Sequence, residues 1–346
     1  MGDVVELPFV AVQSQDFPQP PIGAIEAISK GFEAVTNRLG LILFPIILDL
    51  ILWLGPRLSI ERLVKELMGF VVPPAGADAI TLQNVESLRQ VSEAITKTYN
   101  LFSLLSTTPL GLPSLMVGRM PAANPLGVGH ALQVGDPLVY LSVMVALQLA
   151  GLLLGAAYLG LIAQQSWEAS VDLPRLSGHL IGLWGRLLVL AIVTSPVVVA
   201  VRWMLLAISA SPNSGILPIL GLTVAAWLLT YLAFSFHGLV AGRGVFQSIV
   251  DSLRLVQWNL SSTVMLLVTV LLLNWGLGMV WNIPKDDSWL TFIGIAGHGY
   301  ITTALFAGTF VFYRDRHRWV NEIRAHWARQ ALKQPSRGEG GRQRMR

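Results

Sequence analysis

The polar residues that could do chemistry are few, and each lies inside an apolar stretch of the chain. Asp49 stands in LILFPIILDLILW and Arg202 in VVVAVRWMLLAI, and three uncharged polar residues have similar surroundings: Gln148, Asn274 and His298. An ionised aspartate that faces lipid costs roughly 2.5 to 3.5 kcal/mol. Something must therefore compensate Asp49, and an ionisable residue inside a membrane is a candidate functional residue.

We expect Asp49 to form an ion pair with Arg202. Asp49 lies five residues before the end of one apolar run at Leu54, and Arg202 lies six before the end of another at Ile208. If both runs are helices leaving the same side of a membrane, both side chains lie about 8 to 9 Å from their helix ends. Two alternatives stay open. Arg202 extends to the headgroups on its long side chain while Asp49 faces a hydrated gap or is protonated, or both line a proton or ion pathway.

Asn274 and His298 fall in corresponding halves of adjacent apolar runs, so a hydrogen bond between them is expected. Such bonds join membrane helices with roughly 0.6 to 2 kcal/mol. His298 stands in GIAGHGY, where the flanking glycines would let a flat ligand approach, and an imidazole can bind haem iron or a pigment. A second, paired histidine is missing, so no cofactor and no metal are expected. If a proton or ion pathway exists, Gln148 would be a third polar residue that lines it.

The composition indicates a membrane protein. Of 346 residues 53% are hydrophobic and 13% charged, against about 25% charged in soluble domains. Each apolar run must be helical because lipid satisfies no backbone polar group. The prediction is an all-α polytopic membrane protein with about six transmembrane helices, in the runs Leu39–Leu54, Leu138–Ala163, Leu180–Ile208, Ile216–Phe236, Thr263–Ile283 and Trp289–Tyr313.

These runs divide the chain into five segments. They are a flexible N-terminal segment (1–22), an interfacial helix with the first span (23–54), an extracytoplasmic helical loop (55–137), a five-helix bundle (138–313) and a basic cytoplasmic tail (314–346). The loop contains two amphipathic stretches whose apolar stripes must pack on each other, the bilayer surface, the spans or a partner. We expect a protein partner at this loop.

The distribution of Lys and Arg predicts the orientation. With the N-terminus in the cytoplasm, sixteen of these residues lie on the cytoplasmic side and seven on the other, as the positive-inside rule requires. The first 22 residues carry acids and prolines and do not have the pattern of a signal peptide. The expected location is a bacterial plasma membrane, with both termini cytoplasmic.

The basic tail has the pattern of a membrane-surface helix. Its apolar residues recur every three or four positions at Trp319, Val320, Ile323, Trp327 and Ala331. Such a helix would lie on anionic headgroups, with a merely solvated tail as the alternative; the candidate contact residues are Arg316, Arg318, Trp319, Arg324, Trp327 and Arg329. Because the tail begins at a membrane exit, nucleic acid is not an expected partner. After Gln334 the composition predicts disorder.

Small residues predict close helix packing in the second run. Gly151 and Gly155 are four residues apart in GLLLG, and Gly160 follows. Glycines at this spacing let another backbone approach closely. Packing within the chain and packing against a second subunit both fit the pattern, with the first preferred.

Two segments suggest an internal repeat. AISKGFEAVTNRLG (27–40) and SIVDSLRLVQWNLS (248–261) have apolar residues at equivalent positions, and SWEASVDLPRLSGHLIGLWGR is a looser third copy. The chain would then contain three tandem hairpins, each preceded by a cytoplasmic interfacial helix.

The run GLVAGRGVFQSIVDSLRLVQWNLSSTVMLLVTVLLLNWGLG, within residues 238–285, resembles an element of poorly characterised bacterial six-helix membrane proteins. These include the membrane domain attached to some glycerophosphoryl diester phosphodiesterases. The resemblance implies a six-helix architecture. It implies no enzymatic activity, because the attached hydrolase domain has no counterpart in this sequence.

The motifs favour a non-enzymatic role. The sequence lacks a phosphate-binding loop, metal-ligand spacing and a nucleophile motif, and its zero cysteines remove thiol chemistry. We therefore predict a membrane scaffold or an accessory subunit of a larger membrane complex. The alternative is a small transporter or channel that uses the intramembrane polar residues. Dry packing around Asp49, Arg202 and His298 favours the first, and a water-accessible cavity that reaches one of them favours the second.

Overall fold

The chain folds almost entirely into α-helices. A computed structural model describes residues 19–71, 78–107, 110–121, 123–127, 129–210 and 215–333, except the side chains of 79, 80, 207, 209, 210 and 330–333. The helices are α1 (Ala24–Thr36), α2 (Leu43–Leu54), α3 (Glu61–Gly69), α4 (Ala79–Thr98), α5 (Met116–Arg119), α6 (Pro137–Glu168), α7 (Leu173–Ala210), α8 (Leu217–Leu232), α9 (Ser235–Val240), α10 (Val245–Trp258), α11 (Leu260–Trp281) and α12 (Thr291–Lys333). Two 3₁₀ segments accompany them, Leu39–Ile42 and Leu101–Ser106.

A short parallel sheet joins the long loop to the bundle. Strand β1 (Arg57–Ser59) directly follows α2, and β2 (Ala131–Gln133) directly precedes α6. The predictions for residues 1–18 and 334–346 lie outside the described residues.

Five helices are long and apolar enough to cross a membrane. They are α6, α7, α8 with α9, α11 and α12. The segments Ala24–Thr36 and Leu39–Leu54 pass the same test only together, and they meet at 93°, so the number rises to six if this bent pair is one span. The protein is thus an all-α membrane protein with five or up to six candidate spans.

Helix α12 is the centre of the bundle. In its most apolar window 61% of the residues are buried, against 11 to 17% in the other four candidate spans. Its 43 residues make it about 64 Å long, twice the roughly 30 Å hydrocarbon core of a bilayer. We call the end of the bundle that carries residues 55–136 the loop end, and the end at which α12 leaves the bundle the tail end.

The first helix packs along α12 in the opposite direction. Near the start of α1 the Ile22 amide donates to Asp315 Oδ2 (2.8 Å), and at its end the hydroxyls of Thr36 and Tyr300 are 2.8 Å apart. Between these points Gly31 lies against Gly308. The expected interfacial helix therefore lies against the central helix, with its charged side exposed.

Two of the three segments predicted to be equivalent have similar local structure, and the repeat itself stays a prediction. Helices α1 and α10 are both short and amphipathic, both precede a more apolar helix, and the equivalent residues Val35 and Val256 are both completely buried. The middle copy is wrong, because α7 runs without a break from Leu173. Its predicted interfacial helix is the first part of the span itself.

Helices α7, α8 and α11 pack against other helices at the tail end of the bundle. Toward the loop end their described side chains are exposed or half-buried. The buried side chains of α7 end at Leu190, and those of α11 are Thr263 and Leu266. Among the described side chains of α7 after Leu190, and of α11 after Leu266, none is buried. A large apolar surface at the loop end is thus available to lipid or to another helix.

The basic tail is not a separate helix. It continues α12 without a break to Lys333, and its Val320 and Ile323 are buried. Arg316, predicted to contact headgroups, is 2% exposed. Its guanidinium donates to the Ile22 carbonyl (2.8 Å) and lies 3.6 Å from the centre of the Phe312 ring. Arg316 therefore fixes the start of α1 to α12, and its prediction as a membrane contact is wrong.

The other predicted tail residues face outward to different degrees. Arg318, Arg324 and Arg329 are exposed, and Trp319 is half-buried. The Trp327 ring is 54% exposed and lies 6.2 Å from the ring of Trp258 at the end of α10.

Candidate functional site around Asp49

Asp49 lies on the buried side of α2. It is one of five buried residues of this helix, together with Pro45, Leu48, Leu52 and Trp53, and its own exposure is 0%. The surrounding segment LFPIILDLILWL is otherwise apolar. A carboxylate in such a place needs hydrogen-bond donors from the protein, because burial without them is costly.

Three donors from one segment supply these bonds. The Ser114 hydroxyl donates to Asp49 Oδ1, the Met116 amide donates to the same oxygen (3.1 Å), and the Leu115 amide donates to Oδ2 (3.0 Å). The Ser114 hydroxyl also accepts from the Val117 amide (3.2 Å). These amides are at the start of α5, where backbone donors have no partner within the helix. Asp49 thus caps α5 from another part of the chain.

The segment that Asp49 holds reaches the middle of the bundle. A Cβ on Gly151 would lie 2.5 Å from the Leu105 carbonyl oxygen, and one on Gly155 would overlap the Leu110 carbonyl. These glycines are positions 15 and 19 of the 32-residue α6. Residues 101–107 and 110–121, which we call the inserted segment, therefore do not stay outside the bundle as the sequence suggested.

The glycines of α6 accept two different neighbours. Gly151 and Gly155 receive the backbone of the inserted segment, and a Cβ on Gly160 would lie 2.5 Å from Leu176 Cδ1 of α7. All three close contacts are made within the chain.

The inserted segment is packed and bonded by protein. Leu101, Leu112 and Met116 are at most 2% exposed, and the Ser106 hydroxyl donates to the Leu112 carbonyl (2.6 Å). Non-helical backbone at membrane depth is tolerated when protein buries it. A cavity beside it, lined by Leu52 and Met116, holds about 10 Å³, which is no more than the space of one water molecule.

A second set of contacts closes the site at the loop end. Arg119, the last residue of α5, forms an ion pair with Asp286 (2.6 Å). The Trp53 indole donates to the Asp286 carbonyl (2.8 Å), and the Asn124 amide donates to the Trp53 carbonyl (3.0 Å). The connection before α12, the end of α2 and the end of the inserted segment are thereby tied together.

Sequence reasoning missed the partners of Asp49. Ser114, Arg119 and Asp286 stand in turn-rich segments that show no periodicity. The available signal was local: Ser114 precedes LMV, as a helix-capping serine would. Nothing in the sequence relates this serine to a residue 65 positions earlier.

The predicted ion pair between Asp49 and Arg202 is not formed. Arg202 is exposed, and it has no carboxylate within 4.0 Å among the described residues. It lies instead near Tyr99, whose other neighbour is Tyr140. Burial raises the pKa of the Tyr99 phenol, and the charge of Arg202 acts against this rise.

The two residues also lie at different levels. Tyr140 is the fourth residue of α6, whereas the inserted segment contacts Gly155, 15 residues further along. At 1.5 Å per residue this separation is about 22 Å. The expectation failed because it measured depth from the ends of helices of unequal length, and α7 extends beyond α2.

The other polar residues do not assemble into a pathway. Asn274 and Gln148 are exposed, and His298 is half-buried, with its carbonyl accepting from Thr302 (2.7 Å). In the part of the chain that the structure describes, no hydrogen bond joins Asn274 to His298, so this prediction is wrong. The Trp281 ring lies against Gly297, so α11 and α12 run side by side. Asn274, two turns before Trp281, is nevertheless exposed.

A polar cluster at the tail end was not found from the sequence. His237 is 1% exposed, its Nε2 is 2.9 Å from Thr309 Oγ1, and its ring stacks on Tyr313 at 5.4 Å. Tyr313 in turn stacks on His317, which contacts Arg243, the ion-pair partner of Asp251. The signal was the spacing of Thr309, Tyr313 and His317, four residues apart on one side of α12.

No protein-family model, curated protein or solved structure matches this chain. The resemblance of residues 238–285 to bacterial six-helix membrane proteins therefore stays a prediction. Within the described residues no group of three or more His, Asp or Glu side chains could hold a metal ion.

Proposed function

We propose that this protein is a non-enzymatic membrane scaffold or accessory subunit that binds a membrane-spanning segment of a partner on helix α11. It acts in a bacterial plasma membrane with the tail end in the cytoplasm. The excess of Lys and Arg on that side, sixteen against seven, supports this orientation through the positive-inside rule.

The observation that carries the proposal is the exposed Asn274. It stands on α11 among exposed Leu271, Leu272 and Trp275, in the part of the helix after Leu266 where no described side chain is buried. An asparagine side chain has two N–H donors and an oxygen that accepts up to two hydrogen bonds, and lipid can satisfy none of them. In membrane bundles such side chains bond across helix interfaces.

The neighbourhood of Asn274 fits a close helix contact. Gly278 follows one turn later on the same side of α11, and a Cβ added there would meet nothing within 4 Å. A glycine with open space beside it lets a second backbone approach. We place the partner on α11 rather than on residues 55–137, because a large part of that loop is already packed inside the bundle.

The surroundings of Asp49 argue against transport through that residue. Both carboxylate oxygens accept hydrogen bonds from the protein, and the side chain is fully buried. A transported ion or proton would have to displace the start of α5. Asp49 is therefore assigned a structural role that keeps the inserted segment in place.

Co-purification tests the proposal. The tagged full chain is isolated from its native membranes in mild detergent, beside Asn274→Leu and Gly278→Ile. Gly276→Ile is the matched control, because Gly276 is also open but lies on another side of α11. We expect a stoichiometric partner with wild type and control, and a loss of roughly 3- to 30-fold in both test variants, the equivalent of 0.6 to 2 kcal/mol. Equal recovery with all four chains would contradict the assignment.

One observation favours a second candidate, a small transporter or channel. In the cluster of His237, Thr309 and Tyr313 the histidine and the tyrosine are buried and the threonine is half-buried, and polar side chains inside membrane helices often mark ion or proton routes. Proteoliposomes with a pH-sensitive dye inside would show proton flux in wild type and its loss in His237→Phe. Absence of flux in wild type would leave the cluster a packing feature and remove this candidate.

A further inference from the structure

Helix α4 carries an apolar stripe that no described part of the chain covers. Leu88, Val91 and Ile95 follow one another at intervals of three and four residues and are 50, 55 and 55% exposed. At 3.6 residues per turn these side chains lie on one side of the helix. A contiguous exposed stripe of large apolar residues marks an interaction surface.

The other sides of α4 face α3 or water. Ser92, Glu93 and Thr96 face α3, where they line a 320 Å³ groove together with Val64 and Met68. Roughly opposite the stripe are Glu86, whose carboxylate accepts from Gln90 (3.1 Å), and the exposed Lys97. The helix thus has a side for α3, a side for water and a third, apolar side without a neighbour.

The stripe leads to the spans. One turn after Ile95 on the same side is Tyr99, which lies near Arg202 of α7 and Tyr140 of α6. At this point α6 and α7 expose apolar side chains of their own, Leu138 (75%) and Trp203 (69%). The apolar side of α4 is therefore continuous with the apolar surface of the spans at the loop end.

The residues at this junction are those that proteins place at a membrane surface. Tyr and Trp rings occupy the headgroup level, and the long side chain of an arginine reaches it from a span. Arg202, without a carboxylate neighbour, and Trp203 are in this position. On α3, Leu67 and Phe70 are also exposed, at 50 and 83%.

We propose that the hairpin of α3 and α4 lies on the lipid leaflet at the loop end, with Leu88, Val91 and Ile95 inserted among the headgroups and the first acyl carbons. We assign lipid as the occupant of the stripe, because the stripe is continuous with the apolar surface of helices that are long and apolar enough to cross a membrane. Between Glu61 and Thr98 there are four basic and five acidic residues. Insertion is therefore driven by apolar area, as for other interfacial helices, and does not require anionic lipid.

The proposed position of the hairpin does not depend on the partner site on α11. The sequence makes a labelling test simple. The chain contains no cysteine, so a single cysteine can be placed and spin-labelled without removing others. The labelled positions are Leu88→Cys, Val91→Cys and Ile95→Cys, with Glu86→Cys and Gln90→Cys as controls on the water side of the same helix. Circular dichroism and size-exclusion chromatography verify that each full chain is folded.

The accessibility of the spin labels to oxygen and to nickel, measured in bilayers, tests the proposal. The labelled proteins are reconstituted in phosphatidylcholine vesicles, with and without phosphatidylglycerol, and collisions with oxygen and with a water-soluble nickel chelate are measured. We expect the ratio of oxygen to nickel accessibility to be several-fold higher at the three stripe positions than at the controls, equally in both lipid mixtures.

Two outcomes would overturn the proposal. Stripe labels that are as accessible to nickel as the controls would place the stripe in water. Stripe labels shielded from both reagents would show that protein, whether a second copy or another segment of the chain, covers the stripe in place of lipid.

Discussion

Gly31 of α1 and Gly308 of α12 lie in direct backbone contact. A Cβ on Gly31 would overlap the Gly308 amide and lie 2.7 Å from its Cα, and one on Gly308 would lie 3.0 Å from the Ile28 Cα. No flexible side chain is available to move aside. The two helices can therefore pack at this distance only while both positions lack a side chain.

Substituting Gly31 should separate the two helices. We expect Gly31→Leu to destabilise the protein by about 1 to 3 kcal/mol, the usual cost of overpacking, or to prevent α1 from docking. The measurement is thermal unfolding in detergent, followed by circular dichroism. Gly40→Leu is the control, because a Cβ there meets nothing within 4 Å. An equal change in both variants would indicate that the close contact is not what holds α1.

Removing the carboxylate of Asp49 should release the inserted segment. Asp49→Leu leaves the donors of Ser114, Leu115 and Met116 without an acceptor, and each buried unsatisfied donor costs about 1 to 3 kcal/mol. Asp49→Asn keeps one acceptor oxygen and should lose less. Proteolysis of the purified chains should cut residues 101–121 fastest in Asp49→Leu, more slowly in Asp49→Asn and slowest in wild type. Any other order of the three cleavage rates would contradict the capping role of Asp49.

Arg316 should act on the N-terminal segment and not on the membrane. Arg316→Ala removes the hydrogen bond to the Ile22 carbonyl and the contact with Phe312, a loss of about 2 kcal/mol for a charged donor. Hydrogen exchange in α1 should become faster. Arg318→Ala, an exposed neighbour, is the control and should leave the exchange unchanged. If both variants bind lipid vesicles less tightly than wild type and neither changes hydrogen exchange in α1, Arg316 is a membrane contact, as the sequence predicted.

The difference between these arginines shows what the sequence could predict. The class of fold followed from apolar runs, because backbone groups in lipid permit helices and little else. The exposure of Arg318, Arg324 and Arg329 also agrees with the pattern. The prediction for Arg316 was wrong because it placed the start of the membrane-surface helix at the end of the apolar run. Helix α12 instead continues past this point, and α1 packs against it.

The candidate site depended on contacts that no periodic pattern records. Asp49 was correctly singled out, since an acid in an apolar helix needs compensation. Its partner was wrong because charge complementarity suggested an arginine, while three uncharged donors of a distant turn supply the bonds. A segment that folds back into a bundle has no repeat of 3.6 residues by which it could be found.

The start of α4 should respond to acid through one residue. The Asp78 side chain accepts a hydrogen bond from the Thr81 amide (2.9 Å), and the bonds from Thr81 lower the pKa of Asp78 below its usual value. A group whose pKa is lower in the folded state stabilises it above the unfolded pKa, about 3.9, and this contribution disappears as the pH falls through the folded value. The first turn of α4 should therefore exchange amide hydrogens normally at pH 5 and with reduced protection at the lowest pH. Asp78→Asn is the matched control, because asparagine caps a helix equally well and does not titrate. If the variant loses protection over the same pH range as wild type, another group causes the change and the capping bond is not its origin.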